Sequence, residues 1–264
     1  MDSSALEERL QFALSVAREA QKLILGYYQN VDLNVDLKAD ESPVTAADKG
    51  AEQLIRDHLE KSFPEDGILG EEFGTVDSKN GFRWILDPVD GTKPFVQGVP
   101  LFGTLIGLEF ESRVVLGVAR FPALNEVVYA ADGLGTWWQI GEQEPRKTTV
   151  SDITELSKAV FCFTEPQRFQ RVGRPEVLET LMQSCRMSRG WGDCYGHILV
   201  ATGRAEVMID PELSAWDAAA LVPIVREAGG HYLDWSGAES IYTGNGFSVN
   251  AALKEEVLAL LSAE

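Results

Sequence analysis

Residues 84–95 read WILDPVDGTKPF, an apolar run that drives into Asp87 and then Asp90, Gly91 and Thr92. Asp-Pro and Asp-Gly both favour turns, so a chain turning after Asp87 could aim both carboxylates at one point, with the Val89 carbonyl between them and the Thr92 hydroxyl beside them. An all-oxygen set of this kind suits Mg²⁺, which keeps waters and substrate phosphate as its remaining ligands. Two carboxylates this close need a cation, or one of them must hold a proton. Gly91 lets backbone approach a ligand closely. Pro94 is tolerated in the first turn of a helix, and amides at such a helix start would meet a phosphate. Taken alone, D-x-x-D-G-T reads equally well as a solvated surface turn.

The motif has company. GEEFG places Glu71 and Glu72 after a short apolar run, AWDAAALVPIVREAGG opens on Asp217, and PVTAADKGAE carries Asp48. Singly, Asp48 and Asp217 are ordinary first-turn acids complementing a helix dipole, worth ~0.3–1 kcal/mol. Together the four segments point to a dinuclear metal site fed from both halves of the chain.

The elements that must position these acids follow from periodicity. Apolar residues at spacings of three and four predict a helix over 4–30, and the polar stretch 30–45 a short strand or loop. Thr45, with Asp48 three residues on, is a candidate capping box for a helix running to about residue 63. RWILD reads as a buried strand ending near Asp87. Several strands follow, with a hairpin signal in DGLG at 132–135. Beyond a polar connector, the strands AVFCF, AEVMID and GHYLDW alternate with helices RPEVLETLMQS, CYGHILVATG and AWDAAALVPIVREAGG. The reading is an α+β half over 1–145, carrying most of the acids, and an α/β half over 146–264, carrying Asp217, joined as one compact unit.

Composition narrows the function. The 264 residues are 45% hydrophobic and 24% charged, with a formal net charge of −18. Such acidity opposes nucleic-acid binding, which needs clustered Lys and Arg. No apolar run approaches the ~20 residues of a membrane span, and the start lacks a signal-peptide pattern, so a cytoplasmic protein is expected. Three cysteines without close pairs and three scattered histidines signal neither a disulfide framework nor a zinc site. No G-x-S-x-G elbow marks a serine hydrolase.

The order PVTAADKGAE, GEE, WILDPVDGT, WDAAAL and REAGG resembles the inositol monophosphatase family of metal-dependent phosphatases over roughly residues 10–250. The resemblance implies a layered αβαβα sandwich, shared with fructose-bisphosphatases, and a homodimer. It implies that Glu71, Asp87, Asp90, Asp217 and the Val89 carbonyl hold two or three Mg²⁺ ions. Asp48 and Thr92 would hold the attacking water, and the Gly91 and Thr92 amides would contact phosphate. Paired metal ions would then activate water against a small phosphomonoester, with no covalent phosphoenzyme.

Lys93, the F-x-x-G-x-P continuation and GWGDCYGHILVATGRAEVMIDPELSAWDAAAL resemble the branch of that family acting on L-histidinol phosphate, in histidine biosynthesis. Asp193 stands where inositol-acting relatives carry a small neutral residue. With Asp210 or Glu212 it would set carboxylate beside the leaving group, matching an ammonium and an imidazole. Asp193 also suits the N-cap of the helix CYGHILVATG. An inositol-1-monophosphatase or a broad-specificity sugar phosphatase is the rival enzyme, and a non-catalytic divalent-ion binder or interaction protein the rival of another class. The pair Asp48 and Thr92 argues against the last, since ion binding alone does not need it.

Overall fold

A computed structural model describes residues 3–30, 35–37 and 43–262. The first part comprises α1 (Ser3–Tyr27), β1 (Val35–Leu37), β2 (Pro43–Thr45), α2 (Ala46–Ser62), β3 (Gly67–Gly70), β4 (Gly74–Val76), β5 (Phe82–Asp90), α3 (Thr92–Val96), β6 (Gly103–Phe110), β7 (Arg113–Phe121), β8 (Glu126–Ala131), β9 (Gly135–Ile140) and β10 (Arg146–Thr148). The second comprises β11 (Val160–Phe163), α4 (Pro166–Arg171), α5 (Pro175–Ser184), β12 (Met187–Arg189), α6 (Asp193–Ala201), β13 (Val207–Asp210), α7 (Ala215–Ala219), α8 (Leu221–Glu227), β14 (His231–Leu233), β15 (Gly246–Val249) and α9 (Lys254–Ser262). Within 30–45, the expected strand or loop resolves into the pair β1–β2, and residues 31–34 and 38–42 lie outside the described residues.

Eight strands form a sheet in the order β10-β9-β8-β7-β6-β5-β3-β4, and five form a second in the order β12-β11-β13-β15-β14. α1 and α2 bury their apolar stripes on one face of the large sheet, where Ala13, Ala17, Ile24, Ile55 and Leu59 meet Trp84, Leu86 and Val118. α6, α7 and α8 cover the other face through Ile198, Ala218, Ala219 and Ile224. The second sheet packs its far face on α5 and α9, through Leu181, Val257 and Leu261. The layers therefore run α-β-α-β-α, as the resemblance implies.

Three local departures from the sequence reading have physical causes. β5 does not end at Asp87. It runs to Asp90 through an irregularity: Asp87 pairs with Leu105 and Asp90 with Gly103, so three steps on β5 answer two on β6. Pro88, which cannot donate to a ladder, is at home in such a bulge, and its carbonyl accepts from Thr104 Oγ1 at 2.9 Å. AWDAAALVPIVREAGG is two helices rather than one, breaking at Ala220. Pro223 lacks an N–H and its ring opposes the carbonyl four residues back, at Ala219. β12, β15 and α4 are too short to carry a period that separates them in sequence, and α9, with Leu253 just before it and Val257 and Leu261 within it recurring at four, is a further helix beyond those expected.

Candidate active site

The bulge in β5 settles where the two acids point. Alternate residues of a strand face opposite sides, so Asp87 and Asp90, three apart, would diverge on a regular strand. The extra residue restores them to one face. Trp84, Leu86 and Val89 pack on the α1–α2 side, whereas Ile85 faces the α6–α8 layer, and Asp87 and Asp90 follow it. β5 itself is anchored by Trp84, whose Nε1 donates to the buried Asp66 Oδ2 at 2.9 Å, while Arg9 Nη2 grips Asp66 Oδ1 at 2.9 Å.

Asp217 arrives from the middle layer. The run of alanines in α7 and at Ala220 lets this layer lie almost on the sheet, and a Cβ at Gly117 of β7 would stand 1.9 Å from the Ala220 carbonyl oxygen. Asp217 is the third residue of a capping box with Ser214, whose amide donates to Asp217 Oδ2 at 2.6 Å. As a result Asp87, Asp90 and Asp217 each offer an oxygen, all within 4.8 Å of one another.

Their electrostatics are those of a cation site. Burial first, then the charges of Glu71, Asp90 and Asp217, pushes the Asp87 carboxyl well above the usual range. Burial, then Asp193 and Asp217, does the same to Asp90. Burial also raises Asp217. Glu71 and the Val89 backbone share the wall of the same cavity, of about 280 Å³. A buried and two half-buried carboxylates clustered together, with a carbonyl beside them, fit a hard divalent cation.

Gly91, at φ 82°, turns the chain from β5 into α3, a left-handed conformation that favours glycine. Thr92 then stands with its Oγ1 3.0 Å from the Val89 carbonyl oxygen and 3.4 Å from Asp48 Oδ1. Asp48 reaches it from α2, where the anticipated capping box forms: Thr45 N and Oγ1 donate to Asp48 Oδ2 at 2.8 and 2.6 Å. One carboxylate oxygen caps the helix and the other faces Thr92. Burial raises Asp48 against the lowering effect of these Thr45 bonds.

Asp193 and Asp210 line the same cavity together with Thr164, Glu165, Arg168 and His197. Gly192, not Asp193, is the N-cap of α6; Asp193 is its first residue, at φ 51°. Its amide donates to Thr164 Oγ1 at 2.8 Å, and the next amide, of Cys194, donates to Asp90 Oδ2 at 2.6 Å. Burial and the Asp210 charge, against Arg168, push the Asp193 carboxyl up to about 7. Burial would raise Asp210 as well, yet His197, Arg168 and Thr164 hold it below the ordinary value. Lys93 and Glu165 pair at 2.5 Å on the rim.

Nine expected residues, Glu71, Asp87, Val89, Asp90, Gly91, Thr92, Asp193, Asp210 and Asp217, thus share one cavity, with Asp48 behind Thr92. Glu212 is not among the lining residues; its carboxylate pairs with Arg171, whose Nε lies 3.0 Å from Oε2. Thr164, Glu165, Arg168 and His197 were not anticipated. Thr164 and Glu165 follow the carboxyl end of β11, where ligands gather in α/β sheets, so that rule could have found them. Nothing in the sequence marks Arg168, or a lone His197 on a buried helix.

A model of the inositol monophosphatase family matches residues 5–264. The chain belongs to that family. It is 45% identical to the histidinol-phosphatase of Chlorobaculum parvum, over 96% of this chain and 96% of that protein. It is 37% identical to the histidinol-phosphatase of Mycobacterium tuberculosis, over 96% and 98%. Among solved structures it is similar to an inositol monophosphatase from Zymomonas mobilis, with a TM-score of 0.84 and 34% identity over 98% and 99% of the two chains. It is also similar to the extragenic suppressor protein suhB from Bartonella henselae, with a TM-score of 0.87 and 28% identity over 97% and 98%. The protein is accordingly a phosphomonoester hydrolase of a metal-dependent family.

Proposed function

We propose that the protein hydrolyses L-histidinol phosphate to L-histidinol and phosphate with two or three Mg²⁺ ions held by Glu71, Asp87, Asp90, Asp217 and the Val89 carbonyl. When bound, such ions polarise the phosphoryl group and lower the pKa of water. The chain supplies the rest. Asp48 Oδ1, beside Thr92 Oγ1 at 3.4 Å, is placed to draw the attacking water's proton through the hydroxyl, and its raised pKa makes it the better base. The Gly91 and Thr92 amides, at the start of α3 on the cavity wall, would donate to phosphate oxygens.

The observation that carries the substrate assignment is the acid pair Asp193 and Asp210 in the cavity, delivered by α6 and β13. There the Asp193 and Asp210 carboxyls share a single guanidinium, that of Arg168, while Lys93 and Glu165 pair with each other on the rim, so a second cation would let both acids ionise. A carboxylate lacking its own cation matches a cationic leaving group, which a neutral polyol does not require. The names of the two histidinol-phosphatases above support the same choice. Histidine biosynthesis in the cytoplasm, as a homodimer, completes the proposal. Three unpaired cysteines suit a reducing compartment, and the dimer rests on the family resemblance.

Side-by-side turnover of L-histidinol phosphate, inositol 1-phosphate and fructose 1,6-bisphosphate with Mg²⁺ is the test. L-histidinol phosphate is expected to lead. Asp193→Asn is expected to raise its KM about tenfold, a charge-assisted bond being worth ~1.5 kcal/mol or more, while inositol 1-phosphate changes little. A wide margin for inositol 1-phosphate in the unmodified protein refutes the assignment.

A further inference from the structure

Glu52 is a fully buried carboxylate outside the acid cluster, four residues beyond Asp48 on α2. Its Oε1 accepts from Arg56 Nε at 2.8 Å and from the Phe73 amide at 3.1 Å, and its Oε2 accepts from the Glu72 amide at 2.8 Å. Arg56, buried in turn, donates through Nη2 to the Gly74 carbonyl at 2.5 Å. Two side chains of one helix thus hold three consecutive backbone groups of the turn that follows Glu71. The fit leaves no slack, since a Cβ at Gly70 would lie 2.1 Å from Glu52 Oε1 and 2.7 Å from Arg56 Nη2. On the opposite side the Glu71 amide donates to the Leu86 carbonyl at 3.2 Å, one residue before Asp87.

We infer that Glu52, braced by Arg56, is a positioning residue for the metal site. It fixes the Glu71–Gly74 turn so that the Glu71 carboxylate meets those of β5 and α7. Asp48, Glu52 and Arg56 stand at i, i+4 and i+8, hence on one face of α2. That face therefore sets the Glu71 turn and the proton-accepting carboxylate at a constant separation. A helix is stiff and the turn, exposed at Phe73, is not. Without the brace the turn's amides can exchange Glu52 for water, and Glu71 loses its fixed place. The inference rests on the reading of Glu71 as a metal ligand.

The test measures Mn²⁺ binding to the chelator-stripped full chain by the free-ion electron paramagnetic resonance signal, with Glu71→Gln beside Glu52→Gln. A buried Arg56 left without its partner can unfold the protein, so Glu52→Gln/Arg56→Met, which removes the pair together, is measured as well. Glu71→Gln is expected to weaken the Mn²⁺ site. The Glu52 variants are expected to weaken it 10- to 100-fold, the usual effect of groups that orient ligands, in protein that still melts cooperatively. Their Mg²⁺ activation constant is expected to rise in proportion, with kcat at saturating Mg²⁺ largely restored. Unchanged Mn²⁺ affinity in a folded Glu52 variant, whatever its melting temperature, overturns the inference. Unchanged affinity in Glu71→Gln overturns instead the reading on which it rests.

Discussion

The acid cluster should set metal-free stability against metal binding, and Asp90→Asn separates the two. Carboxylate oxygens within 4.8 Å of each other repel by about 3.5 kcal/mol per pair at an effective dielectric constant of about 20. Asp90 faces two such partners, Asp87 and Asp217. Burial and these charges raise the Asp90 pKa, so proton uptake relieves part of this, and most of one pair's repulsion, about 3 kcal/mol, sets the scale. Asn keeps an acceptor for the Cys194 amide but loses the charge-assisted part of that 2.6 Å bond, about 1 kcal/mol. The net gain for the metal-free protein is about 2 kcal/mol, or roughly 4–8 °C in Tm for a chain of this size. Thermal melts at pH 8 in EDTA and in MgCl₂ read both effects. In EDTA, Asp90→Asn should melt above the unmodified protein. In Mg²⁺ the order should reverse, with turnover down at least 100-fold. A variant no more stable in EDTA would show that these carboxylates do not strain the fold. A variant that keeps the full Mg²⁺-induced shift would show that Asp90 is not a ligand.

Two more outcomes follow from the same geometry. Asp48→Asn should lower kcat by 100-fold or more, as loss of a general base does, while Mn²⁺ affinity stays within about threefold. Activity within tenfold of the unmodified protein would remove Asp48 from the proton path. Asp193, raised from 3.8 to about 7, binds its proton more tightly folded than unfolded. Its contribution is fully present below pH 4 and is lost as pH rises through about 7. The stability advantage of Asp193→Asn in metal-free, substrate-free protein should therefore grow across that window, by an amount of order 4 kcal/mol. A pH-independent difference, measured by urea unfolding, would count against the burial of that charge.

The sequence by itself determined which acids are candidates for the cluster and most of the elements that deliver them. Asp87, Asp90 and Thr92 sit in one short motif, and Asp48 and Asp217 each sit three residues after a capping Thr or Ser. These are local relations: a capping box or a strand run is legible because the interacting residues are neighbours in the chain. Convergence was not legible. Asp87 and Asp90 share a face only because a bulge on β5 adds a residue against β6, which is a property of strand pairing. Asp217 reaches them only because alanines of α7 and Ala220 press on Gly107 and Gly117 of two other strands. The placing of Asp193 and Asp210 depended most on the tertiary structure. Asp193 and Asp210 come to one cavity through Thr164, Arg168 and His197, none of which stands near Asp87 in the chain. Glu212, two residues from Asp210, turns to Arg171 instead. Adjacent acids at a strand end look alike in sequence, and only the arginine that each one meets across the chain decides which of them faces the cavity.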